Sequence, residues 1–141
     1  MKVTINRVND AVHFEASGAV SGTKVHIDGS PEIGGLGLGA RPMELVLMAL
    51  GSCSSLDLVS ILQKQRQVIT GFSVDVDGQR RDEVPSVFTR IHMQFNLQGE
   101  IDPQKAERAA ELAVKKYCSV HDMLAAGGVE ITYDIKINQG H

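Results

Sequence analysis

Residues 41–55 read Arg-Pro-Met-Glu-Leu-Val-Leu-Met-Ala-Leu-Gly-Ser-Cys-Ser-Ser, and the rest of the chain has to be arranged around the way this segment folds. From Pro42 to about Gln67 the pattern lacks the alternation of a strand and is almost wholly apolar as far as Leu50, which predicts a long helix. Pro42 suits its first position, where a missing N–H leaves no bond unmade. With so little polar surface the helix is expected to be central and largely buried. Gly51, Ser52, Ser54 and Ser55 surround Cys53 with small side chains. A glycine inside a helix costs about 1 kcal/mol relative to alanine, so close approach by another backbone or by a substrate is expected there.

On the N-terminal side, Val3 to Val8, Val12 to Ala16 and Lys24 to Asp28 are short alternating segments separated by Asn9-Asp10 and by Gly18 to Gly22. They predict two or three antiparallel strands. Ser30 to Ala40 contains Pro-Glu-Ile-Gly-Gly-Leu-Gly-Leu-Gly and is expected to be a mobile loop leading into the helix. On the C-terminal side, Phe72, Val74 and Val76 oppose Ser73, Asp75 and Asp77, and Ile91, Met93, Phe95 and Leu97 repeat the pattern, predicting a hairpin of half-buried strands. Asp102-Pro103 starts a second helix with a small face of Ala106, Ala109, Ala110 and Ala113, running to about Tyr117. Ser119 and Asp122 suggest a capping box for a third helix, closed by Gly127-Gly128 before an alternating strand from Val129 to Ile137. The order β-β-β-α-β-β-α-α-β describes an α+β domain with helices against antiparallel sheet.

With 141 residues, 43% of them hydrophobic, the chain is expected to form one domain, residues 1–141, with a core that needs no metal or disulfide staple. A net charge of −3 with scattered basic residues argues against nucleic acid and anionic membranes as partners. The first fifteen residues mix charged and apolar positions, unlike a secretory signal. The longest apolar run, Leu45 to Leu50, is far short of the roughly 20 residues of a membrane span. A cytoplasmic protein is expected, and in a reducing compartment a pair of cysteines is either incidental or redox-active.

Cys53 and Cys118 are the only cysteines. A lone Cys53 in an apolar helix reads first as a small core residue. Cys118 falls where one helix ends and another begins, so the positive end of the second helix, with His121 nearby, would favour a thiolate. A zinc site built from Cys53, Cys118, His92 and His121 lacks the two closely spaced ligand pairs of a zinc finger. Gly35-Leu-Gly-Leu-Gly39 lacks the preceding buried strand and following Lys-Ser or Lys-Thr of a phosphate loop. His13, His26 and His141 read as isolated, solvated side chains.

Residues 41–55 resemble the first-cysteine helix of the OsmC/Ohr family, and Lys-Lys-Tyr-Cys-Ser-Val, residues 115–120, resembles its second-cysteine segment. The order of elements is similar over nearly the whole chain. The resemblance implies an OsmC-like fold with a long central helix, assembled as an intertwined homodimer with its sites at the interface. It further implies a two-cysteine reductase of organic hydroperoxides, in which Cys53 attacks the peroxide and Cys118 resolves the resulting sulfenic acid. A small hydrophobic peroxide and a dithiol reductant are the implied partners, and no cofactor or metal is required.

In the hydroperoxide reductases a glutamate follows the motif proline and works with an N-terminal arginine to activate the thiol. Here Met43 follows Pro42 and the carboxylate stands at Glu44, with Arg41, Lys24 and Arg7 as the available cations. Glu44, the third candidate catalytic residue, lies about half a turn round a regular helix from Cys53. Its plainer role is a first-turn carboxylate favourable to the helix dipole. The alternative function is a non-catalytic dimer of the same fold that binds a small hydrophobic ligand or partner.

Overall fold

The structure, a computed structural model, describes residues 1–139, so His141 lies outside the described residues. It divides into two compact units, Met1–Val46 and Leu47–His141, the division falling in the first turns of helix α1, Pro42–Lys64.

The first unit opens with three antiparallel strands in the order β1-β2-β3: β1 Val3–Arg7, β2 Phe14–Gly18 and β3 Lys24–Ile27. The second strand starts later than the expected Val12, because Asn9 Oδ1 accepts from Ala11 N at 3.0 Å and from His13 N at 3.1 Å and makes these residues part of the turn. His13 and His26 are not isolated: His13 Nε2 and His26 Nδ1 share a hydrogen bond of 3.0 Å.

The glycine-rich segment that was expected to be mobile is pinned. Asp28, only 2% exposed, accepts backbone N–H bonds from Gly29, Leu36 and Leu38. Ala40 N donates to His26 O, and Asp28 N to Ala40 O, each at 3.0 Å. A Cβ on Gly35 would stand 1.8 Å from Gly29 O, and one on Gly39 would stand 2.4 Å from the backbone of His26. These glycines serve close backbone approach rather than flexibility.

In the second unit, β4 Val68–Arg80 and β5 Phe88–Glu100 form the expected hairpin, longer than the alternation alone suggested, and β6 Glu130–Ile137 completes a sheet of order β4-β5-β6. The expectation of antiparallel sheets needs one correction: β5 and β6 run parallel, with Ile91 opposite Ile131 and Leu97 opposite Ile137. The intervening helices make a crossover connection, which brings the chain back in the same direction. Ile91, Met93, Phe95 and Leu97 form the buried face of the central strand, none more than 1% exposed.

Helix α2, Pro103–Glu111, starts at Asp102, whose carboxylate accepts from Gln104 N and Lys105 N. It packs against β6, and Ala106, Ala109, Ala110 and, beyond its end, Ala113 are fully buried. A π-helical turn, Leu112–Tyr117, separates it from α3, Ser119–Ala126.

Helix α1 starts at Pro42 as expected and ends at Lys64, short of the expected Gln67, and its burial is one-sided. Leu50, Leu58 and Leu62 have no exposure, whereas Met48 is 54% and Leu56 74% exposed. A three-stranded sheet covers one side of a helix and leaves the other uncovered. Its most apolar window has a mean hydropathy of 1.9, so by length and composition alone this 23-residue helix could cross a membrane. The uninterrupted run Leu45–Leu50 understated this, because Gly51 and the serines that break the run are only weakly polar.

Candidate functional site

Small side chains allow α1 to sit close to the sheet at the level of Cys53. Gly51 is buried, and a Cβ there would lie 2.7 Å from Val76 Cγ2 and 3.6 Å from Val74 Cγ1. The close approach expected at this glycine therefore comes from two β4 valines. Ser52 and Ser55 turn their hydroxyls back on the helix, Ser52 Oγ donating to Met48 O at 2.7 Å and Ser55 Oγ to Gly51 O at 2.6 Å. Ser54 does neither. It has no exposure, and its Oγ has no hydrogen-bond partner among the described residues.

Cys118 is delivered from the opposite end of the unit's sequence. The π-helical turn ends at Tyr117, and Cys118, in extended conformation with φ −74° and ψ 105°, becomes the N-cap of α3. Its Sγ accepts from His121 N at 3.3 Å. The capping residue is thus Cys118 itself rather than the expected Ser119, and its sulfur occupies the place an oxygen acceptor normally takes. The helix dipole points its positive end at this sulfur.

Both thiols are free, and the Cys53 thiol lies near enough to Cys118 to act on its proton. They differ in access, Cys53 being partly exposed and Cys118 only 1% exposed. Burial pushes the Cys118 thiol above its ordinary value. The nearby Ser54 hydroxyl, which falls short of hydrogen-bond geometry to the sulfur, and the bonded His121 N–H oppose that rise, and the Cys53 thiol adds to it.

Glu44 stands at the third position of α1, where its Oε1 accepts from Arg41 N at 2.9 Å. That bond is the reverse half of a capping box. Of the cations considered at its side, Arg7 donates to Ala11 O and Asp10 O, Lys24 pairs with Glu15 at 3.5 Å, and Arg41 lowers the pKa of Glu32 from a distance, behind the Ser30 hydroxyl. His92, weighed as a metal ligand, bonds Thr132 at 2.7 Å and pairs with Asp134 at 3.3 Å. His121 pairs through its ring with Asp122 at 3.2 Å. Sequence reasoning missed two features. One is the unsatisfied hydroxyl of Ser54, noted only for its size; the other is Asp28, whose place between a strand and a glycine run was the available signal.

Comparison with known proteins agrees with this geometry. Residues 35–134 match the family model described as OsmC-like protein. Protein YhfA of Escherichia coli K12 is 43% identical over 97 residues, covering 68% of this chain and 72% of YhfA. The crystal structure of a hypothetical protein from Aquifex aeolicus VF5 is 27% identical, with a TM-score of 0.80 over 98% of this chain and 97% of that one. An organic hydroperoxide resistance protein from Elizabethkingia anophelis shares the fold at 13% identity, with a TM-score of 0.71 over 98% of this chain and 97% of that chain. With the family model matched over residues 35–134, a span that includes both Cys53 and Cys118, the chain belongs to the OsmC-like protein family.

Proposed function

We propose that this protein is a thiol-dependent peroxidase that reduces organic hydroperoxides, with Cys53 as the attacking thiol and Cys118 as the resolving thiol. The observation that carries the reading is the nearness of two free thiols, one partly exposed and one buried at a helix N-terminus. Cys53, as thiolate, attacks the distal oxygen of R–O–O–H; the O–O bond breaks, the alcohol leaves, and a sulfenic acid forms. Cys118 then attacks the Cys53 sulfur, the S–O bond breaks, water departs, and a disulfide remains. An external dithiol returns both cysteines to thiols. A mainly apolar groove on the neighbouring face of α1, lined by Ser52, Ser55, Leu56, Val59, Ser60 and Gln63 and not by Cys53 itself, suits the hydrocarbon part of a hydrophobic peroxide. The resistance to organic hydroperoxides named for the Elizabethkingia relative is consistent with this class.

The same reading includes a cytoplasmic homodimer. Val3, Ile5, Met48 and Leu56 are exposed apolar side chains that a second copy would cover. Sedimentation at micromolar concentration is expected to give a dimer, and a stable folded monomer would remove that part of the proposal.

Stopped-flow oxidation by cumene hydroperoxide with mass spectrometry of both cysteines tests the chemistry. The native protein is expected to form the Cys53–Cys118 disulfide. Cys53→Ser should abolish peroxide consumption, and Cys118→Ser should react once and accumulate oxidised Cys53. The engagement of Glu44, Arg7 and Lys24 with their own neighbours favours a second reading, a non-catalytic dimer binding a small hydrophobic ligand. Failure of reduced Cys53 to react with the peroxide would select it.

A further inference from the structure

The three serines around Cys53 divide in a way that size does not explain. Ser52 and Ser55 satisfy their hydroxyls on the carbonyls one turn back, as serine in a helix commonly does. Ser54, in the same helix and more deeply buried than either, makes no such bond. A buried donor left unmade costs about 1–3 kcal/mol, so the arrangement calls for an acceptor in some other state of the protein. The Cys118 sulfur, N-cap of α3 and likewise buried, lies near enough for the Ser54 hydroxyl to act on its proton but is not hydrogen-bonded to it in this structure. A neutral thiol is a weak acceptor, whereas a thiolate takes hydrogen bonds strongly.

We propose that the Ser54 hydroxyl is the hydrogen-bond donor that receives the Cys118 thiolate when the disulfide forms. The assignment rests on the peroxidase reading for its place in the cycle, but the donor–acceptor pair is a property of the fold. Resolution requires Cys118 to give up its proton inside the protein, where burial opposes charge. Two donors meet the charge: His121 N–H at the start of α3, already in place at 3.3 Å, and Ser54 O–H from α1. In the resolving step the Cys118 sulfur, so held, attacks the sulfur of Cys53–S–OH. The S–S bond forms, the S–O bond breaks, and the departing hydroxide takes up the proton that Cys118 released. Cys53 is reduced from the sulfenic state and Cys118 is oxidised, with no further reactant. Ser54 thereby contributes to resolution, separately from the attack on the peroxide.

The test reads Cys118 without peroxide. In the Cys53→Ser protein the only thiol is Cys118, so ultraviolet absorbance of the thiolate titrates it directly. Adding Ser54→Ala is expected to lower the thiolate fraction at a given alkaline pH by about tenfold or more, the equivalent of one hydrogen bond to a charged group. Ser54→Thr, which keeps the hydroxyl, should restore most of it. With both cysteines present, Ser54→Ala should lengthen the life of the Cys53 sulfenic acid by roughly three- to tenfold, because a scarcer thiolate is also the better nucleophile. Its melting temperature should hold or rise, since an unsatisfied buried donor is removed. An unchanged Cys118 titration in the alanine variant, or an equal change in alanine and threonine variants, overturns the inference. A protein that titrates as expected but never oxidises Cys53 supports the donor role of Ser54 and rejects the peroxidase reading alone.

Discussion

Gly51→Ala is expected to destabilise a helix that alanine would ordinarily strengthen. In an open helix interior the change gains about 1 kcal/mol. Here the added methyl would lie 2.7 Å from Val76 Cγ2, with Val74 Cγ1 at 3.6 Å. Carbon atoms rest at about 3.5–4.0 Å, so helix and strand must separate by roughly 1 Å or Val76 must leave its preferred rotamer. Overpacking of this kind costs about 1–3 kcal/mol, which leaves a net loss of roughly 0–2 kcal/mol after the gain in propensity. Val76→Ala in the same chain removes the obstructing methyl, so the two changes together should be less damaging than their sum by about 1 kcal/mol. Urea denaturation of the four proteins at one fixed concentration measures both quantities, the fixed concentration removing any contribution from association. A Gly51→Ala protein more stable than the parent, or a double variant that is strictly additive, would refute the claim that this glycine sets the spacing between α1 and β4. Cys53 and Ser54 lie within one turn of Gly51, so the same displacement should slow disulfide formation.

Iodoacetamide should label Cys118 more slowly than Cys53 at neutral pH, because Cys118 is 1% exposed and its thiol is raised by burial. A raised folded value means that the stability tied to this proton is present below the unfolded thiol range and declines as pH rises through the folded value; thermal melts across alkaline pH should show that decline, and Cys118→Ser should remove it. Asp28 has the opposite sign. The N–H bonds from Leu38, Leu36 and Gly29 lower its carboxyl, so its contribution is present above the unfolded aspartate range and lost as pH falls through the folded value. Hydrogen-exchange protection at Leu36 and Leu38, measured against the intrinsic rate at each pH, should fall in acid and in Asp28→Asn at any pH. Glu44→Gln keeps an acceptor for Arg41 N and should leave the start of α1 intact; a fall of tenfold or more in the rate of Cys53 oxidation would show that the carboxylate charge serves the thiol, and an unchanged rate would confine Glu44 to the cap.

The course of the backbone was legible along the chain wherever a local rule governed it. Pro42 and the unbroken apolar pattern specified α1, Asp102-Pro103 specified α2, and the alternation through Phe72, Val74 and Val76 specified a strand, because periodicity and capping act between residues close in sequence. The two cysteines were likewise visible through the segments at 41–55 and 115–120. What lay beyond the sequence depends on which distant groups share a volume. The parallel pairing of β6 on β5 depends on how the crossover packs. The ordering of the glycine loop depends on three N–H groups converging on Asp28. The exposure of Met48 and Leu56 depends on how much of α1 one sheet can cover. Nothing local distinguishes Ser54 from Ser52 or Ser55, since all three are small helical residues beside a cysteine. Only packing removes water from Ser54, withholds a carbonyl partner and places it beside Cys118, because burial and hydrogen-bond satisfaction are set by the neighbours a side chain acquires on folding.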